Sequence, residues 1–206
     1  RAAMSAAIKP PNDCLLTRAP SLTPSIFKNF QSLVGENTMS EDIDWSLIPD
    51  GPTFERLVQD IVRWDEPAAK IFGRPSTDAG QDARSGDDKT VYQAKFHDKY
   101  TKTDKPISDA KKELDKLEDY RDPDHRFFHL WEGVEEWILC TNVLKNPQTT
   151  QDLWDREVVP EFEDRIGVRA RLWSQEDLEN EIRQRPQLLR VYFKGENFTL
   201  LSLHQK

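Results

Sequence analysis

The sequence predicts an α/β sandwich, a mixed central sheet flanked by helices, and three observations predict it. Segments of helical period alternate with strand-like segments in the order helix, strands, helix, strand, helix, strand, helix. The turn-forming stretch SGDD (85–88) separates two strand-like runs, so the pair reads as a hairpin. The run 135–142 (EEWILCTN) is apolar through its middle, as a strand covered on both faces must be.

Taken in order, Phe54, Leu57, Val58, Ile61 and Val62 recur at i, i+3, i+4, i+7 and i+8, which is one face of a helix. Pro52 suits its first turn and Pro67 lies past its end. The run 69–74 (AKIFGR) reads as a short edge strand, and 77–84 (TDAGQDAR) with 89–97 (KTVYQAKFH) as the two arms of the hairpin. A helix follows over 106–120, with Ile107, Ala110, Leu114 and Leu117 facing inward. After the strand at 135–142, residues 149–166 read as mostly helical, interrupted at Pro160 and stopped by Gly167. The run 168–173 (VRARLW) alternates as a strand, and Ser174 with Asp177 forms a capping box for the helix that begins SQEDLENEIRQR. No internal repeat is present.

Ahead of these elements, residues 1–45 mix Pro, Ser, Ala and Asn with little periodicity and read as a flexible N-terminal extension; residues 46–203 read as the folded domain. Arg1, Lys9, Arg18 and Lys28 stand against Asp13 alone before Glu36, a basic leader that superficially resembles a transit peptide. The reading adopted is an appended or upstream translated extension, with Met39 as the natural start.

Composition narrows the function classes. No apolar run approaches the roughly 20 residues a membrane span needs. Cys14 lies in the extension and Cys140 closes a strand-like run, so a disulfide framework is not expected and a reducing cytoplasmic setting is. The net charge of −8 argues against coating DNA by bulk electrostatics. Its distribution is uneven: from Lys89 to Lys112, seven lysines face three aspartates, a local balance of +4. One lysine-rich segment on an acidic protein can still bring phosphate to one face.

Hydrolysing a phosphodiester at neutral pH takes a divalent cation to polarise the phosphate and activate water, hard oxygen ligands to hold that cation, and a positive group near the developing charge. Asp82 and the Gln93-x-Lys95 pair meet this demand through hairpin geometry. A two- or four-residue loop centred on Gly86-Asp87 sets Asp82 opposite Val91, so Asp82, Gln93 and Lys95 project to one face and Tyr92, Ala94 and Phe96 to the other. A three-residue turn would break that parity. Lys95 on a central strand would be costly to bury unless paired, and Asp82 with a metal beside it would satisfy it. The carbonyls of Gln93 and Ala94 are donors of the right hardness for a magnesium-type ion.

FERLVQDIV (54–62), TDAGQDAR (77–84) and VYQAKF (91–96), taken together, resemble the Mrr-like restriction endonucleases, a branch of the PD-(D/E)xK nuclease superfamily. The resemblance covers about 52–180 and implies a restriction-endonuclease-like αβββαβ core. By position it implies Asp82 as the metal-binding aspartate, Gln93 as the second metal-site residue, Lys95 as the catalytic lysine, and Glu55 as the helix glutamate that joins the metal shell. Asp78 and Gly80 would shape the approach. The sequence departs from the pattern twice: Gln93 stands for the usual second carboxylate, and Ala79 for the first glycine of a common Gly-Gly-x-Asp. The activity implied is a Mg2+- or Mn2+-dependent endonuclease acting on DNA, in defence against foreign DNA. Its partners would be DNA, a second copy of the chain, and a STAND-type ATPase in a longer parent protein. The rival is a nuclease fold without activity, serving nucleic-acid binding or assembly.

Each of these residues also has a plainer reading. Glu55 would be an acid favoured by the helix dipole, Asp82 a turn-flanking carboxylate, and Lys95 an edge-strand lysine that blocks aggregation. Lys99, Lys102, Lys105, Lys111 and Lys112, with Tyr100 and Thr101, either grip a DNA backbone or form a solvated surface. His125 and His129 have H-x3-H spacing, but a zinc site needs further ligands that the neighbouring sequence does not offer; Phe127, Phe128, Leu130 and Trp131 around them are expected to pack down. No Gly-rich phosphate loop, Ser-His-Asp order or nucleophilic cysteine context is present.

Overall fold

The computed structural model describes residues 43–73, 79–98 and 101–194. Asp50 begins the first helix, its carboxylate accepting the Thr53 N–H at 2.8 Å. Pro52 occupies the first turn, where its missing donor costs nothing. The helix, α1 (Gly51–Asp65), buries the five expected apolar residues, and Gln59 is buried among them. Ile43 and Trp45 already pack against the same core, Trp45 within a short 3-10 turn at Trp45–Leu47.

Five strands form one mixed sheet: β1 (Lys70–Ile71), β2 (Ala83–Arg84), β3 (Thr90–Lys95), β4 (Glu136–Thr141) and β5 (Arg169–Trp173), in that spatial order. The first three are antiparallel neighbours; β3, β4 and β5 run parallel. Helices α2 (Lys105–Tyr120), α3 (Phe128–Trp131), α4 (Val159–Ile166), α5 (Gln175–Arg183) and α6 (Pro186–Phe193) complete the chain order. On one face of the sheet, Val91, Trp137, Leu139 and Ala170 meet Ala110, Leu114 and Leu117 of α2 and Phe162 of α4. On the other, Ile138 and Cys140 meet α1, Leu178 and Ile182 of α5, and Leu188 of α6. Alternate residues of β4 thus enter opposite cores, which is why its run reads as continuously apolar.

Three expectations change. The first hairpin arm is a strand only at Ala83–Arg84, because Ala79 (φ 52°) and Gly80 (φ 78°) are both left-handed and turn the chain just before it. The hairpin register also moves. Val91 faces Arg84, not Asp82, because the loop spans Gly86 to Lys89 with Asp88 left-handed, closed by the Ser85 N–H on Thr90 O at 2.9 Å. The helical stretch before Pro160 is wound wide, as π-helical turns at Pro147–Gln151 and Trp154–Val158; Pro160 itself sits harmlessly in the first turn of α4. As expected, β3 lies in the middle of the sheet, which overturns the plainer reading of Lys95 as an edge-strand lysine.

The expected helix caps form. Gly167 ends α4 in the left-handed conformation at φ 65°, and Ser174 and Asp177 make the capping box of α5. No helix among the described residues is long and apolar enough to cross a membrane. Cys140 is a free, buried thiol whose pKa burial pushes well up.

Candidate functional site

The C-terminal end of β3 carries Gln93, Ala94 and Lys95, and an open cleft of about 460 Å³ lies over it. Glu55, Asp82, Gln93 and Lys95 all line this cleft. Helices from both faces of the sheet reach it, α1 through Glu55 and α2 through Glu113, Lys116 and Tyr120.

Asp82 arrives by a route that ideal hairpin pairing does not provide. Ala83 faces Tyr92 across the ladder, yet the Asp82 N–H also donates to Tyr92 O at 3.0 Å. Two residues of the incoming strand therefore oppose one on β3, which is a β-bulge, and bulges re-aim side chains and end pairing. The Asp82 carboxylate accepts the Ala94 N–H through Oδ2 at 2.6 Å. A backbone donor on the charged form holds that carboxylate against the β3 main chain.

Gln59 couples α1 to the same place. Its Nε2 donates to Glu55 Oε1 at 2.9 Å, Phe72 O at 2.9 Å and Asp82 O at 3.1 Å. Because residues four apart share a helix face, Gln59 fixes the Glu55 carboxylate while tying the helix to the bulge.

Gln93 is buried at 4% exposure, and its Oε1 accepts the indole N–H of Trp137 at 3.2 Å. Lys95 pairs through Nζ with Glu113 Oε1 at 3.0 Å, and Lys116 reaches that same oxygen at 3.1 Å. Glu113 is only 6% exposed. Burial pushes its carboxyl up, but the charge and hydrogen bond of Lys95, with hydrogen bonds from Lys116 and Gln93, outweigh burial and hold it below the usual carboxylate range. Gly80 completes the wall: a Cβ there would lie 3.3 Å from Gln93 Nε2.

The lysines expected to grip a backbone divide. Lys105 pairs with Asp109, and Lys111 with Glu157 at 2.8 Å. Lys102 and Lys112 are exposed, and none of these four lines the cleft. Lys99, Tyr100 and Asp78 lie outside the described residues, as does the extension through position 42. Thr101 does not line the cleft either. The cations that do are Lys95, Lys116 and Arg126. His125 packs its ring on Tyr120 and Phe127 and accepts the Phe127 N–H at Nδ1. Among the described residues no group of three or more His, Cys, Asp or Glu side chains could hold a metal ion.

Sequence reasoning missed Gln59, Glu113, Lys116 and Arg126. Glu113 left a signal: it sits three residues after Ala110 and four before Leu117, inside the apolar stripe of α2, where an acid requires a partner. Compared with protein-family models, with curated proteins and with solved structures, the chain finds no match. The fold and cleft themselves define a class: a mixed α/β protein with paired acids and cations gathered at the end of its central strand.

Proposed function

We propose that the chain is a divalent-metal-dependent endonuclease domain acting on DNA phosphodiester bonds, in defence against foreign DNA. One observation carries this reading: Glu55, Asp82 and Lys95, from three separate stretches of chain, line one cleft. The donor set fits a hard cation, because a magnesium- or manganese-type ion that keeps several waters needs only one or two carboxylates from the protein. When bound, such an ion polarises a phosphate and makes water a better nucleophile at neutral pH.

Asp82 would hold the ion, with Glu55 and a carbonyl near Gln93 or Ala94 as the further oxygen donors. The Ala94 N–H and the Gln59 amide orient the two carboxylates before any substrate arrives. Lys95 would stabilise the charge that grows on phosphate during in-line attack, and Glu113 holds its ammonium in place. The order α1, β1, β2, β3, α2, β4 supports the finer assignment of a restriction-endonuclease-like αβββαβ core and kinship with Mrr-like enzymes. A homo-oligomer, a STAND-type ATPase in a longer parent and a cytoplasmic setting belong to the same proposal.

A second reading, a nuclease fold serving only binding or assembly, draws on two observations: Lys95 is already ion-paired, and the Gln93 side-chain carbonyl already accepts from Trp137. Plasmid cleavage with Mg2+ or Mn2+ separates the two. Wild type is expected to nick or cut, and Asp82→Ala and Lys95→Ala to be inactive. Equal activity in all three, or none under any condition including oligomerised protein, removes the enzyme.

A further inference from the structure

The cleft has a second wall that the acid and lysine chemistry does not use. Tyr120, Arg126 and Phe127 form it, with Lys116 beside them. The Arg126 guanidinium sits 4.3 Å from the centre of the Phe127 ring, and the Tyr120 ring meets Phe127 edge-on at 5.3 Å. Arg126 is exposed and, among the described residues, has no carboxylate partner, whereas Lys95 and Lys116 share Glu113. Its charge is therefore held over an aromatic surface and remains available to an anion.

This wall is fixed relative to the acids. The Leu130 carbonyl accepts from Gln81 Nε2 at 2.7 Å and from Arg84 Nη1 at 2.8 Å, and the Trp131 indole donates to Ala79 O at 3.2 Å. These bonds clamp the segment that follows Phe127 onto the residues either side of Asp82. A group seated on the aromatic wall would thus be held in register with the carboxylates.

We propose that this wall is a nucleotide-base platform and that the strand bound there is single-stranded nucleic acid, DNA or RNA, or an unpaired stretch of a duplex. The proposal rests on the nuclease reading for its chemistry but not for its binding. In a duplex, the faces of the bases are stacked on one another and cannot meet an aromatic ring; in a single strand they can. Lys116 would take an adjoining phosphate, and the base would stack on the Arg126 guanidinium that lies over Phe127.

The test is fluorescence anisotropy in EDTA, so that nothing is cut, using fluorescein-labelled oligo-dT, oligo-rU and a blunt DNA duplex. Wild type is expected to bind the single strands at least several-fold tighter than the duplex. Arg126→Gln and Phe127→Leu are each expected to weaken single-strand binding about tenfold, the effect of losing one base contact. Arg126 is exposed, so its substitution leaves folding intact even if Phe127→Leu does not. Equal affinity for the duplex, or wild-type single-strand binding by Arg126→Gln, overturns the platform. Platform-dependent binding without cleavage in Mg2+ or Mn2+ would retire the nuclease and keep the platform. Cleavage of a single-stranded substrate at wild-type rate by both variants would do the reverse.

Discussion

Lys95 Nζ lies 3.0 Å from Glu113 Oε1, joining the last residue of β3 to the buried stripe of α2. The carboxylate is nearly enclosed, while the lysine side chain is 32% exposed. Removing the acid alone leaves Lys95, Lys116 and Gln93 without their shared acceptor. A fully buried pair broken this way costs about 3–5 kcal/mol. Solvent screens Lys95, so Glu113→Ala should cost about 1–3 kcal/mol, measured by urea unfolding. An unchanged midpoint would show that the pair only decorates the cleft. Under the nuclease reading the same variant should also cleave more slowly, because the Lys95 ammonium loses its anchor.

The same contact predicts an acid limb. The Glu113 carboxyl is held below its ordinary value of 4.5 in the folded protein, so the unfolded chain binds the proton more readily. Its contribution is therefore complete above about pH 4.5 and is lost as pH falls through the lower folded value. Glu113→Gln removes this proton. The stability gap between wild type and Glu113→Gln should be constant at neutral pH and shrink below pH 4.5, in parallel urea titrations. A gap that widens with acid would reverse the sign and refute the assignment.

Asp82 offers a separation of fold from chemistry. Its Oδ2 accepts the Ala94 N–H at 2.6 Å, a bond that an asparagine carbonyl can keep and an alanine cannot. Asp82→Asn should stay within about 0.5 kcal/mol of wild type, whereas Asp82→Ala should lose about 1–2 kcal/mol by stranding a backbone donor. Both should abolish Mn2+ binding in calorimetric titration if this carboxylate holds the ion. Wild-type Mn2+ affinity in either variant would move the metal elsewhere.

These residues also mark what the sequence discloses and what it conceals. The helix face of α1, the hairpin and the doubly covered β4 follow from periodicity, because each pattern is local and each burial is repeated along its element. The PQLLRVYF stretch that forms α6, where Leu188 and Phe193 bury, is not anticipated from the sequence. An ideal ribbon sets Asp82 opposite Val91, whereas in the structure Ala83 faces Tyr92 and the Asp82 N–H donates to Tyr92 O. No local residue pattern specifies such a shift. Glu113 was hidden differently, since an acid on an amphipathic helix ordinarily faces water and only the tertiary approach of Lys95 makes its burial tolerable.

Gly80 should tolerate no side chain. Its φ of 78° is strained for any L residue, and a Cβ would meet Gln93 Nε2 at 3.3 Å. Gly80→Ala is expected to destabilise by about 1–2 kcal/mol, read as a lowered thermal midpoint. Because the strain falls on Gln93, it should also loosen the Glu113 contact, so the acid limb of this variant should be shallower. A variant as stable as wild type would mean that the 79–80 turn relaxes without disturbing the cleft.

Trp137 tests whether Gln93 serves the core or the site. The indole is fully buried, packed on Phe162 with ring centroids 4.8 Å apart, and its N–H donates to Gln93 Oε1 at 3.2 Å. Trp137→Phe leaves a small cavity and an unmatched buried carbonyl, for a loss of about 2–4 kcal/mol. Replacing both partners with apolar groups removes the second penalty, so Trp137→Phe with Gln93→Met should recover about 1 kcal/mol over the sum of the single losses. A double-mutant cycle in urea measures that coupling, and a value near zero would deny the bond any weight. Cleavage then decides the role. If Gln93 only completes the core, the recovered double variant cuts as Trp137→Phe does; if its amide positions Glu113 and Lys95, stability returns while activity stays low.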